Sequence, residues 1–166
     1  MMVQEREYAR LLGYPWGTAL EGEVRSRALQ AAEWYENHCT PRVYCRSNVA
    51  AITAGAGVDR RVDELWQAGR IDEAYFLDRY AAAVVEALAA ELGAHDSPGN
   101  GSVPFEAQWT LFETIAPLDP EIGMLASGML TPKNSLLALI RARDEKQINP
   151  CTRCGLVHCS FRRKSA

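Results

Sequence analysis

The sequence lacks any long apolar run. No stretch approaches the roughly 18–20 apolar residues that span a bilayer, and no apolar segment typical of a signal peptide follows the charged stretch from Met1 to Glu7. The net charge of −3 over 166 residues gives no basic surface for nucleic acid or an anionic membrane. We therefore expect a soluble, cytoplasmic protein whose five cysteines are thiols or metal ligands rather than disulfides.

Several catalytic motifs are also missing. The segment Gly55-Ala56-Gly57 lacks the third glycine and the Lys-Ser/Thr pair of nucleotide-binding loops. The sequence contains no Gly-x-Ser-x-Gly nucleophile elbow and no His-Glu-x-x-His metal helix. These absences argue against the hydrolase and metalloprotease classes that depend on those motifs.

The apolar residues that are present follow both helical and strand spacing. The periodicity predicts helices over residues 20–38, from residue 58 to Gly69, over residues 71–92 and after Pro104. Strands are predicted over residues 42–46, 48–53, 122–125 and 136–142, and residues 93–103 form a predicted loop. Four aromatic residues at helical spacing are predicted to lie in the core: Trp66, Phe105, Trp109 and Phe112. This irregular alternation predicts a single α+β domain over residues 1–150, with a twisted, mainly antiparallel sheet and flanking helices, followed by a cysteine-rich tail over residues 151–166.

Four groups of motifs occur in a fixed order from residue 42 onward. They are Ala54-Gly55-Ala56-Gly57-Val58-Asp59-Arg60-Arg61-Val62; Ser97-Pro98-Gly99 followed by Pro104-Phe105-Glu106-Ala107-Gln108; Ser127-Gly128-Met129-Leu130 followed by Pro132-Lys133-Asn134-Ser135; and Cys151-x-x-Cys154 with Cys159. This ordered set resembles the activation, or S-adenosylmethionine-binding, domain of cobalamin-dependent methionine synthase. The resemblance implies that fold, a ligand of the S-adenosylmethionine type and a corrinoid methyltransferase as partner.

The resemblance also implies a ligand loop. Ser97, Pro98 and Gly99 match the Ser-Pro-Gly segment of the family's ligand site, where an arginine precedes the loop and a tyrosine follows it. Here His95 and Asn100 stand at those two positions. A histidine is a weaker anchor for a carboxylate than arginine, and asparagine has no aromatic face. We therefore expect S-adenosylmethionine or a related amino-acid-like small molecule as the ligand.

Three further acidic residues belong to the predicted site. Asp78 and Glu86 match family positions and are expected to support the ligand, although each can instead be an edge carboxylate paired with a neighbouring arginine. Asp96 follows His95, and the two can act as a catalytic acid–base pair. The alternative is that His95 caps the C-terminus of the preceding helix.

The C-terminal cysteines are the candidate metal ligands. Cys151 and Cys154 have the spacing that binds one metal ion from a tight turn, and Cys159 follows. A zinc site or an iron–sulfur cluster requires a fourth ligand, for which His158, Cys39 and Cys45 are candidates. Free thiols and a regulatory disulfide are the alternatives.

Three functions follow from these patterns. The first is a stand-alone activation-type protein that binds S-adenosylmethionine or a related molecule and assists a corrinoid methyltransferase. Cobalamin would then arrive on that partner, because the sequence contains no Asp-x-His-x-x-Gly motif. The second is an enzyme or enzyme subunit of secondary-metabolite biosynthesis that catalyses a cobalamin-independent cyclisation, elimination or intramolecular displacement with a partner subunit. The third is a non-catalytic helper subunit that pairs through an open sheet edge.

Overall fold

The computed structural model describes residues 2–99 and 103–140, together with Cys159 and Arg162. Its helices are α1 (Glu5–Leu11), α2 (Gly22–His38), α3 (Ala56–Gln67), α4 (Ile71–Glu91) and α5 (Ala107–Ile115), the last continued by a 3-10 turn, Ala116–Leu118. Its strands are β1 (Arg42–Arg46), β2 (Val49–Thr53), β3 (Ala94–Asp96), β4 (Gly123–Met124), β5 (Leu130–Thr131) and β6 (Ser135–Ile140). None of the described helices combines the length and the apolar character needed to cross a membrane.

Four strands form one antiparallel sheet in the order β1-β2-β6-β3. A two-residue turn joins β1 to β2, with Ser47 at a φ of 56°. The central pair, β2 and β6, runs in register from Val49 opposite Leu139 to Thr53 opposite Ser135. Among the described residues, β1 and β3 are therefore the outer strands of this sheet, and β4 and β5 form a separate two-stranded hairpin.

The central strand β2 is buried on both faces, which explains its continuous apolar run. Ala50 and Ile52 belong to the main core, which lies between the sheet and helices α1 to α4. Val49 and Ala51 face the other way and pack with Ile115, Ile122 and Leu137 in a smaller core beneath α5 and the β4–β5 hairpin. Alternate residues of one strand thus hold both layers together.

Helix α4 lies at the centre of the helical layer and packs on α1, α2 and α3. Its Tyr80 makes edge-to-face contacts with Tyr8 of α1 and Tyr35 of α2, with ring centroids 5.1 and 5.5 Å apart. Each buried hydroxyl has a partner: Tyr8 donates to the Phe76 carbonyl (2.6 Å), Tyr35 to the Ala54 carbonyl (2.8 Å) and Tyr80 to a carboxylate oxygen of α2 (2.5 Å). Burial raises the pKa of all three phenols above the ordinary tyrosine value.

The predicted α+β class and the mainly antiparallel sheet are confirmed. The structure adds short elements that the sequence patterns did not predict, among them α1, β3 and the two-residue strand β5. Helix α1 is only seven residues long and depends on packing against α4. Strand β3 lies inside the predicted loop over residues 93–103, where its three residues have no alternating apolar pattern.

The prediction that four aromatic residues lie in the core is wrong for three of them. Trp66 on α3 is 50% exposed, Phe105 is 43% exposed and Trp109 is 36% exposed. Helix α3 buries a narrower face, formed by Val58, Val62 and Leu65. Spacing alone placed these rings on an apolar face, but it did not show how wide the buried face is.

Candidate ligand-binding site

His95 lies on the outer strand β3 at a break in the pairing register. Ala94 pairs with Ile140 and Asp96 with Leu139, so His95 is the extra residue of a β-bulge. Its Nδ1 atom is shielded from solvent and has no hydrogen-bond partner among the described residues. A buried polar atom without a partner is rare and unfavourable. The described residues therefore leave one ring nitrogen of His95 without a hydrogen-bond partner.

The predicted ligand loop follows directly. Ser97 and Pro98 are half-buried, and Gly99 is exposed with a φ of 76°. The Gly99 amide donates to the Val103 carbonyl across the loop at 3.0 Å. A side chain is disfavoured at this φ, and its absence lets other atoms approach the backbone closely. Asn100, the remaining predicted loop residue, lies outside the described residues.

Aromatic residues at the start of α5 border the loop. A Cβ atom added at Gly99 would lie 3.8 Å from Cδ2 of Phe105. The Phe105 ring meets Trp109 edge to face, with centroids 5.6 Å apart and planes at 89°. The tip of the β4–β5 hairpin supports the pair, because a Cβ atom at Gly128 would lie 2.8 Å from both rings. The side-chain amide of Gln108 donates to the Gly128 carbonyl.

Asp78 belongs to a second polar cluster, at the beginning of β6. Its carboxylate accepts a hydrogen bond from the Asn134 amide (3.1 Å) and pairs with Arg79 (2.6 Å) and Lys133 (3.7 Å). The backbone amide of Lys133 donates to Asp59 of α3 at 2.7 Å. Buried Asp59 Oδ1 and Arg79 Nε have no partner among the described residues. These contacts fix the loop between β5 and β6 to helices α3 and α4.

Glu86 faces a different element. Its carboxylate pairs with Arg10 of α1, a residue that is only 4% exposed and also pairs with Glu7 at 3.1 Å. A buried guanidinium is retained because carboxylates neutralise it. This contact of Glu86 therefore joins α4 to α1.

The predicted catalytic and ligand-binding residues that the structure describes form one consecutive run and two positions of α4. His95, Asp96, Ser97, Pro98 and Gly99 are consecutive at one outer strand. Asp78 contacts Asn134, the residue before β6 begins, and Glu86 contacts Arg10 of α1. The support of a ligand by Asp78 and Glu86 remains a prediction.

The C-terminal metal site stays a prediction as well. Cys151 and Cys154 lie outside the described residues, and Cys159 is a half-buried free thiol. Cys39 is half-buried and Cys45 is exposed on β1, and burial raises the pKa of both thiols. Among the described residues, no group of three or more His, Cys, Asp or Glu side chains is arranged to hold a metal ion.

Two adjoining hollows lie elsewhere on the surface. They have volumes of about 430 and 360 Å³, are open to solvent and share Tyr14 and Val24 in their linings. The remaining lining comes from residues 12–27 and 72–76. None of the predicted site residues lines them.

Sequence reasoning missed the neighbours of the loop. Phe105 and Trp109 were assigned to the core, and Asp59, Lys133 and Asn134 were noted only as parts of motifs. The signal for the aromatic pair was its proximity in sequence to Gly99 and to a loop rich in glycine, which is where a chain exposes side chains to a ligand.

One comparison with solved structures gives a fold relationship. The structure is similar to a crystal structure of the MetH reactivation domain bound to AdoHcy, with a TM-score of 0.50 and 17% sequence identity. The match covers 59% of this chain and 40% of the length of that structure. No protein-family model matches the chain, and no curated protein matches it by sequence. At this identity the similarity establishes a shared fold, and the expected activation-domain-like architecture is confirmed.

Proposed function

We propose that this domain binds S-adenosylmethionine or a related amino-acid-like small molecule at the outer strand β3 and the loop over residues 97–99. The observation that carries the proposal is the shielded Nδ1 atom of His95, which lacks a partner among the described residues. It lies on a β-bulge immediately before a loop whose Gly99 leaves the backbone open to close approach. Support also comes from the fold shared with a domain that was solved with AdoHcy.

The chemistry of the loop fits the polar end of such a ligand. A histidine ring nitrogen can hydrogen-bond a carboxylate, and it does so with greater strength when the ring is protonated. The Asp96 carboxylate can accept a hydrogen bond from an ammonium group. We propose that the ligand-loaded domain assists a corrinoid methyltransferase, with cobalamin carried entirely by that partner.

Calorimetric titration tests the ligand site. We expect His95→Arg to bind S-adenosylmethionine about tenfold more tightly than the unaltered protein, because a guanidinium holds a carboxylate with two charged hydrogen bonds. His95→Ala should weaken binding. His38→Ala is the matched control, since His38 is an exposed histidine stacked on Trp34 of α2. The absence of saturable heat with all four proteins would contradict the proposal.

A second candidate function rests on the same histidine. An imidazole nitrogen shielded from water can transfer a proton to or from a bound ligand, and the Asp96 carboxylate follows it in sequence. The protein would then be an enzyme or enzyme subunit acting on the bound molecule by elimination, cyclisation or intramolecular displacement. Mass spectrometry of the ligand after incubation distinguishes the two candidates. Turnover that requires both His95 and Asp96 supports the enzyme, and unchanged ligand supports the binding domain.

A further inference from the structure

The pair Phe105 and Trp109 is a half-exposed aromatic surface outside both cores. The residues Phe105 and Trp109 are 43% and 36% exposed, although Ile115 at the end of α5 is fully buried. Leu125 and Met129 of the adjoining hairpin are also exposed. Large aromatic side chains contribute most to binding when a partner covers them. Exposed apolar side chains that cluster beside a loop often mark a binding site.

The pair is held in place rather than loosely exposed. Gly128 packs beneath both rings so closely that a methyl group there would lie 2.8 Å from each. The Gln108 amide holds the Gly128 carbonyl, and the Leu125 carbonyl accepts the Gly128 amide at 2.8 Å. The perpendicular arrangement of the rings is a favoured geometry for aromatic pairs. Rings fixed in this way lose little freedom when a ligand binds.

The pair also adjoins the proposed ligand loop. The edge of the Phe105 ring lies 3.8 Å from the position of a Cβ atom at Gly99. A molecule whose polar end reaches His95 therefore has an aromatic surface within the reach of its remaining atoms. Stacking on aromatic side chains is the common way in which proteins bind the flat face of a nucleobase.

We propose that Phe105 and Trp109 form a subsite for a planar nitrogen heterocycle, of the purine type, in the same ligand whose amino-acid end lies at His95 and the loop over residues 97–99. The inference rests on the proposed function and extends it to a second part of the ligand. It assigns ring recognition to residues at and just before the start of α5, and recognition of the polar end to β3 and the loop that follows it.

The experiment separates the two ends of the ligand. Adenosine, methionine and S-adenosylmethionine are titrated into the whole chain and into Phe105→Leu, Trp109→Leu and the control Trp66→Leu, which removes a 50% exposed ring from α3. We expect the first two variants to weaken adenosine binding about tenfold and to leave methionine binding unchanged. Trp66→Leu should change neither. Trp109→Phe, which keeps a ring, should restore most of the affinity for adenosine.

The outcomes distinguish this inference from the proposed function. Unchanged adenosine affinity in both leucine variants overturns the ring subsite, and the proposed function stands if His95→Ala still weakens S-adenosylmethionine binding. If the leucine variants lose adenosine affinity but His95→Ala leaves S-adenosylmethionine binding unchanged, the ring subsite is supported and the loop is overturned as the second anchor. If no ligand binds the unaltered protein, both fail. Circular dichroism melting curves establish that each variant is folded.

Discussion

Two glycines with nearly the same backbone conformation have very different surroundings. Gly17 has a φ of 85° and nothing within 4 Å of the position of an added Cβ atom. Gly128 has a φ of 84°, but an added Cβ atom would lie 2.8 Å from Phe105 and Trp109. The pair separates two requirements for glycine that usually occur together, the backbone conformation and the absence of a side chain.

Alanine substitutions at these positions measure the two requirements. We expect Gly17→Ala to lower the free energy of unfolding by about 1 kcal/mol, from backbone strain alone. Gly128→Ala should lower it by about 2–4 kcal/mol, because two aromatic rings must also move. Urea unfolding of both variants provides the measurement. Equal losses would contradict the crowding at Gly128.

At the scale of elements, the long and strongly periodic segments could be predicted from sequence. Helices α2 and α4 and strand β2 lie within one or two residues of their predicted limits. Helix α1 and strand β3 could not, because their stability comes from distant partners: Tyr80 for α1, and β6 for β3. For the same reason, motif order identified the loop at residues 97–99, but no local pattern revealed its contact with Phe105.

The packing of α1, α2 and α4 through Tyr8, Tyr35 and Tyr80 has a consequence at high pH. In the unfolded chain, each phenol ionises near pH 10. In the fold, burial raises the pKa of each phenol. Their contribution to the free energy of unfolding is therefore complete below about pH 10 and is lost as the pH rises further. Three such groups make the unfolding free energy fall by up to about 4 kcal/mol per pH unit in that range.

Tyrosinate absorbance during an alkaline titration measures this effect. The sequence contains six tyrosines, and we expect the three buried phenols to ionise only when circular dichroism reports unfolding. Tyr35→Phe should lower by one the number of protons released on unfolding at alkaline pH, so that the unfolding free energy falls less steeply with pH. Smooth ionisation of every tyrosine in the folded protein would show that the three rings are accessible to solvent.

At the scale of the whole molecule, the outer strand β1 carries two exposed arginines, Arg42 and Arg46. Arg46 pairs with Val49 across a two-residue turn, so alternation directs the backbone groups of Val43 and Cys45 away from β2. Two copies paired antiparallel about Tyr44 would place Arg42 opposite Arg46 of the other copy. Like charges in directly opposed positions disfavour such pairing.

Replacing Arg42 and Arg46 tests whether their charges prevent β1 from pairing with a second copy. We expect the double variant Arg42→Thr with Arg46→Thr to self-associate at concentrations at which the unaltered protein does not, as measured by light scattering. The control, Arg25→Thr with Arg61→Thr, changes the net charge equally at two helix positions outside the sheet. Identical scattering from the two double variants would attribute any association to net charge rather than to the strand.

The contact of one ring with two glycines links distant parts of the chain. Phe105 lies against Gly99 on one side and Gly128 on the other. A ligand that packs on residues 97–99 would also fix the Phe105 ring, which lies against the hairpin between β4 and β5. A change at Gly128 that displaces Phe105 is therefore expected to weaken a ligand bound at residues 97–99, although Gly128 itself need not touch that ligand.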